Sequence, residues 1–284
     1  MNIFKMKYIV ILGALCVAIN LSAQQEPKNT NDRTLWNDFT YDMGSVFEGV
    51  GFAYSRPLYW DSKDLLPVTG VVGGTTLLYT LDTNIRRGML NHKEDVPSFI
   101  TEYGWYAGSP QNNYGLNGAI YLTGLFTKNE KLRRTGVLLI SSATATGFLQ
   151  QLTKSLVGRA RPGADLGKRH FKPFGGSARF RSFPSGHAIL TFTSAHAIAK
   201  QFSNTWAKVG IYTIGIVPGL TRIYADAHWA SDVFLSWALS YFVVEAIDVY
   251  LDRKYDKKYN NKTGQPAKIS LSFGAGGIGL KYAF

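Results

Sequence analysis

Three segments place polar residues where an otherwise apolar chain has little use for them. Lys154 and Arg161 are seven residues apart. That is about two helical turns, so on a helix both cations leave from one face, and Pro162 would end that helix. Two cations so placed suit an anion with several oxygens. A solvated basic helix end shows the same pattern, because cations favour helix C-termini. The second segment, Ser182-Phe183-Pro184-Ser185-Gly186-His187, runs straight into an apolar stretch and reads as a helix start. Ser185 suits the cap position and Gly186 lets the backbone come close. Unpaired N–H groups at such a start bind anions, and His187 in the first turn can give a proton to a leaving group. An ordinary cap beside a buried histidine uses the same residues. In the third segment, His228 and Asp232 are spaced i, i+4 and become neighbours on a helix. A carboxylate there can hold one imidazole nitrogen and leave the other as a nucleophile. Arg222 adds a guanidinium fork that matches phosphate. A surface ion pair has this spacing too.

Taken in order, the three segments read Lys154-x6-Arg161-Pro162, Pro184-Ser185-Gly186-His187 and Arg222-x5-His228-x3-Asp232. This resembles the type-2 phosphatidic acid phosphatase superfamily, which includes bacterial class A acid phosphatases and vanadium haloperoxidases. One position departs from the family pattern: Thr221 stands in place of a serine and keeps its hydroxyl. The resemblance implies that His228 attacks phosphorus to form a phosphohistidine and that Asp232 fixes its tautomer. Lys154, Arg161 and Arg222, with the backbone of the Ser185-Gly186 turn, would hold the phosphoryl oxygens. His187 would protonate the leaving group and then activate water. It implies neither a metal nor a cofactor. His92, His170 and His196 lie outside the motifs, and His196, nine residues after His187, falls on the opposite side of that helix.

These residues need a scaffold. Runs free of Asp, Glu, Lys and Arg cover 65–81, 103–127, 135–153, 182–199, 209–221 and 233–244. Their lengths and weak period-2 alternation predict helices, hence an all-α bundle of about six core helices with a short strand-like C-terminal tail. The expected organisation is a signal segment over 1–23 and a polar lead-in with an amphipathic segment over 24–60. A phosphatase core over 61–250, a basic linker over 251–268 and an alternating tail over 269–284 follow. If all six runs crossed a membrane, the basic stretch 128–134 would lie outside, against the positive-inside tendency. Either one run does not cross, or the bundle rests on the membrane.

The chain has 284 residues, 45% of them hydrophobic and only 18% charged, yet its net charge is +12. That apolar content excludes disorder, and one cysteine, Cys16, excludes a disulfide scaffold. Lys5 and Lys7 before the apolar run 8–19, then Leu21-Ser22-Ala23, read as an export signal cleaved after Ala23. Residues 154–181 hold eight Lys and Arg against Asp165 alone, and residues 252–268 hold six against two acids. The first patch surrounds the expected phosphate pocket. The second suits an anionic membrane surface. Charge focused on a site with its own nucleophile argues against nucleic acid as partner. The expectation is a phosphatase on the periplasmic side, membrane-embedded or membrane-associated. Its expected substrate is a lipid phosphate: phosphatidic acid, phosphatidylglycerol phosphate, undecaprenyl pyrophosphate or a lipid A phosphate. A soluble periplasmic acid phosphatase of broad specificity is the alternative, and a vanadate-dependent haloperoxidase the remote one.

Overall fold

The computed structural model describes residues 34–260, 268–274 and 277–283. The expected signal segment 1–23 lies outside them. Eight α-helices form the bundle among the described residues: α1 (Leu35–Ser55), α2 (Ser62–Asn91), α3 (Ser98–Ala107) and α4 (Pro110–Phe126), then α5 (Glu130–Val157), α6 (Gly186–Ala199), α7 (Thr205–Tyr224) and α8 (Ala230–Tyr255). The expected all-α architecture holds. The run 103–127 is two helices rather than one, because Pro110 occupies the first position of α4 and lacks the N–H that would continue α3. α8 continues to Tyr255, into the stretch read as linker. The backbones of Lys268–Gly274 and Gly277–Ala283 pair antiparallel, with Lys268 opposite Ala283.

Side-chain caps fix where several helices begin. Asp61 accepts from the N–H groups of Lys63 and Asp64 at the start of α2, while the Asp64 carboxylate accepts from the Asp61 N–H. Asn129 accepts from Leu132 N–H at the start of α5, and Asn204 from Trp206 and Ala207 at the start of α7.

α5 is the central helix. Its Leu132, Val137, Leu138 and Leu139 are fully enclosed, packed with Val46 of α1, Ile120 and Leu125 of α4, and Val244, Ile247 and Leu251 of α8. Each such Leu contributes about 1.5–3 kcal/mol by leaving water. The same core carries Arg133, 1% exposed, ion-paired to Asp38 at 2.5 Å and to Asp42 at 2.8 Å. The phenols of Tyr121 and Tyr255 also donate to Asp42. This polar cluster ties α1 to α4, α5 and α8. A second apolar cluster, Ala188, Ile223, Ala230 and Val233, lies under α2, which presses Ile85 and Met89 against it. α2 itself fully buries one residue, Asp82. Its Leu65, Leu66, Val72, Leu77 and Leu81 face outward, as do Trp206, Val209 and Ile214 of α7. Among the described residues, one helix, extended over Ala230–Lys258, is long and apolar enough to cross a membrane by length and composition.

Candidate active site

The three motifs meet where α5 ends and α6 and α8 begin. α5 does not run to Pro162. It ends at Val157, and Gly158 adopts φ 59°, ψ 37°. That left-handed turn favours glycine, and a Cβ there would lie 1.9 Å from the Lys172 carbonyl oxygen. Arg161 therefore stands on a loop rather than on the helix face of Lys154. The loop is held by backbone bonds to the following segment: Ala160 N–H to His170 O at 2.9 Å, Arg161 N–H to Arg179 O at 2.8 Å, and Ser182 N–H to Arg159 O at 3.1 Å.

Lys154 is buried, and its Nζ donates to the Arg181 carbonyl at 3.2 Å. Burial, with Arg161 and Arg181 nearby, pushes it down to about 8. Arg222 stacks over the Trp105 ring at 5.1 Å. The Nε atoms of Arg161 and Arg222 are buried without a hydrogen-bond partner. By contrast, Arg86, Arg133, Arg134 and Arg159 are each ion-paired to a carboxylate. Arg161 and Arg222, with no carboxylate partner among the described residues, can serve an outside anion.

Ser185 occupies the N-cap of α6 but makes no side-chain cap bond. Its N–H donates to Ser236 Oγ at 2.9 Å, so that amide is committed elsewhere. Its buried hydroxyl is the unpartnered group. Gly186 opens the helix, whose first N–H groups lack helical acceptors. His187 lies beside Trp105, ring centroids 5.4 Å apart, and its Nε2 is buried without a partner. Burial, then the charges of Arg222 and Lys154, push His187 down to about 4.

His228 precedes α8 and is 3% exposed. Its Nδ1 lies 2.5 Å from the Ser182 carbonyl oxygen and 4.0 Å from Asp232 Oδ2. A carbonyl only accepts, so Nδ1 carries the proton and Nε2 holds the lone pair. The partner read from sequence, Asp232, stands one step back. It accepts from Ser182 Oγ at 2.6 Å, Trp229 N–H at 3.0 Å and Arg159 at 2.6 Å. Asp232 thus fixes the Ser182 segment whose carbonyl fixes His228. Burial, then the charges of Lys154 and Arg161, hold His228 well below the ordinary histidine value.

Sequence reasoning missed Arg159, Ser182 and Trp105. Arg159 carried a signal, being a cation between Lys154 and Arg161 in a segment that must turn. The Ser182 contribution is a backbone oxygen, invisible to side-chain patterns. His196 lies apart from the site, with Nδ1 2.7 Å from the Tyr212 hydroxyl and Nε2 donating to Glu245 at 2.9 Å. A pocket of about 450 Å³ opens beside Arg161 and Arg179, walled by Gly163, Ala164, Ala225, Asp226 and Ala227. No group of three or more His, Cys, Asp or Glu able to hold a metal ion occurs among the described residues.

Residues 135–255, which contain all three motifs, match the family model described as the PAP2 superfamily. Over that segment the chain is similar to the PAP2 superfamily. A lipid A 1-phosphatase from Rhizobium etli is 37% identical over 105 residues, 36% of this chain and 44% of that protein. A lipid A 1-phosphatase from Porphyromonas gingivalis is 25% identical over 249 residues, 84% of this chain and 48% of that protein. The chain thus spans less than half the length of these relatives. A transmembrane PAP2-type phosphatidylglycerolphosphate phosphatase from Bacillus subtilis shares the fold. Its TM-score is 0.50 at 18% identity, covering 66% of this chain and 96% of that one. The PAP2 match begins after α4, so Trp105, Gly108 and Asp82 lie outside it.

Proposed function

We propose that this chain is a phosphatase that removes phosphate from a membrane lipid on the periplasmic side, through a phosphohistidine at His228. One observation carries the reading. His228 is anchored through Nδ1, with its Nε2 lone pair free, beside Lys154 and Arg161. In the first step Nε2 bonds to phosphorus, the bond to the leaving oxygen breaks, and His187 supplies its proton. In the second, His187 takes a proton from water, whose oxygen bonds to phosphorus as the P–N bond breaks. Lys154, Arg161, Arg222 and the Ser185 hydroxyl hold the equatorial oxygens as charge develops.

Two further observations favour a lipid. The outward apolar side chains of α2 and α7 suit contact with acyl chains. The relatives that match the chain bear the name lipid A 1-phosphatase. The pocket beside Arg161, lined by Arg179 and Asp226 among small glycine and alanine residues, suits a polar leaving group. The test is a substrate panel of lipid A, undecaprenyl pyrophosphate, phosphatidic acid and a chromogenic phosphate. A lipid turned over at least about tenfold faster than the chromogenic ester supports the reading; equal rates favour a broad acid phosphatase. Turnover surviving in His228→Ala would sink the mechanism. A carbonate wash separates the two membrane arrangements: release from the membranes means a surface-associated protein, retention an embedded one.

A further inference from the structure

Behind the nucleophile lies a chain of buried charge that reaches out of the PAP2 segment into α2. Arg159 donates through Nη1 to Asp232 Oδ1 at 2.6 Å and through Nη2 to Asp82 Oδ2 at 2.7 Å. Ser231 closes the loop. Its N–H donates to Asp82 Oδ1 at 3.0 Å, its hydroxyl donates to Asp82 Oδ2 at 2.6 Å, and its Oγ accepts from Arg159 Nη1 at 2.8 Å. The side chains of Arg159, Asp82 and Asp232 are 2%, 0% and 0% exposed. The Arg159 guanidinium also sits over the rings of Tyr79 and Trp229, 4.8 and 5.4 Å away. No solvent competes for it.

We propose that Asp82 is a positioning residue of the phosphoryl-transfer site, acting through Arg159 on Asp232 and so on His228. Two carboxylates against one guanidinium leave one net negative charge. That surplus lies behind a histidine that becomes cationic when it bonds to phosphorus. The other groups facing His228 are Lys154, Arg161 and His187, none of them negative. With Asp82 neutral, Arg159 would cancel Asp232 and the imidazolium would face only cations. Asp82 also sets direction: it holds one arm of the Arg159 fork, so the other arm meets Asp232 in one orientation. A cation of this kind without its second partner would leave a buried arm unpaired.

The inference rests on the phosphatase reading, and two readouts separate them. The first is turnover of a chromogenic phosphate monoester across pH by the full-length protein in detergent. The second is affinity for orthovanadate, a probe of the same pocket that needs no turnover. In Asp82→Asn, kcat is expected to fall about tenfold with KM nearly unchanged. Losing a negative charge favours neutral His228, so the acid limb of kcat/KM shifts to lower pH. Vanadate affinity weakens severalfold. Asp82→Glu keeps the charge and restores the limb. A role confined to folding lowers the active fraction and leaves the limb and the vanadate affinity per folded molecule where they were; that result would overturn the proposal. If Asp82→Asn does not fold, Ser231→Ala removes one of the bonds holding Asp82 and is expected to move the limb the same way by less; an unmoved limb there counts against the proposal. A wild-type protein that binds vanadate without hydrolysing any ester overturns the phosphatase reading, while vanadate affinity still decides the role of Asp82.

Discussion

Gly108, the residue that ends α3, lies so close to His187 that no side chain fits between them: a Cβ at position 108 would lie 2.4 Å from His187 Cδ2 and 2.6 Å from its Cβ. The obstacle is the ring and its root, not a flexible end, so an added methyl must move the histidine or the α3–α4 turn. Misplacing a catalytic group by about 1 Å can cost about a hundredfold in rate. Gly108→Ala is therefore expected to lower kcat by at least about tenfold. The overpacking itself costs about 1–3 kcal/mol. Steady-state kinetics beside thermal unfolding would show this, and an unchanged kcat would remove His187 from the acid–base role.

His187 should report whether the pocket is filled. In the empty protein it is held down to about 4 by burial and by Arg222 and Lys154. A bound phosphate brings negative charge against those cations and favours the imidazolium. The alkaline limb of kcat, which reads the complex, is then expected at higher pH than that of kcat/KM, which reads the free protein. The same shift bears on stability. Between the unfolded value of about 6.5 and the folded value of about 4, the unfolded chain binds more protons. Phosphate-free protein therefore loses stability as pH falls through that window. His187→Gln removes this contribution, and Tm against pH measures it.

Lys154 sets a boundary on the alkaline side. Its ammonium, pushed down to about 8 by burial and by Arg161 and Arg181, loses its charge as pH rises through that value. KM for a small phosphate ester is expected to climb between about pH 7 and 9. Lys154→Gln should start with a high KM and show no such climb. A wild-type KM flat across that range would mean that Lys154 does not hold the anion.

Away from the site, Arg133 provides a stability test. It lies fully buried between Asp38 and Asp42. Arg133→Met would leave two buried carboxylates without that guanidinium, and breaking a buried pair from one side costs about 3–5 kcal/mol. A large drop in Tm is expected. Since Arg133 is remote from the motifs in sequence and tied to α1, kcat per folded molecule should not change.

Much of this site is legible in the sequence because phosphate chemistry needs side chains that an apolar bundle otherwise avoids. Lys154, Arg161, His187, Arg222 and His228 stand out by type and spacing. Their placement was less legible. Reading Lys154 and Arg161 on one helix face overlooked Gly158, whose left-handed turn ends α5 four residues before Pro162; glycine after an apolar run ending in a cation is a known stop signal. The i, i+4 spacing of His228 and Asp232 suggested direct contact, but His228 precedes the helix and its partner is a backbone oxygen. Asp82 carried no signal, since an acid at the end of a long apolar run looks the same whether it is paired or solvated.

α2 buries Asp82 alone, and the consequence concerns how such a helix can diverge. Its outward apolar residues, Leu65, Leu66, Val72, Leu77 and Leu81, can be exchanged for one another without opening a void in the core; its Ile85 and Met89 pack on the second cluster. The carboxylate has no such freedom, because Arg159 and Ser231 are both built around it. Over long divergence, α2 should keep its greasiness, this acid and the inward Ile85, Arg86 and Met89 while its outward letters drift. Lineages of this chain can then re-tailor the helix to different surroundings without disturbing the histidine it supports.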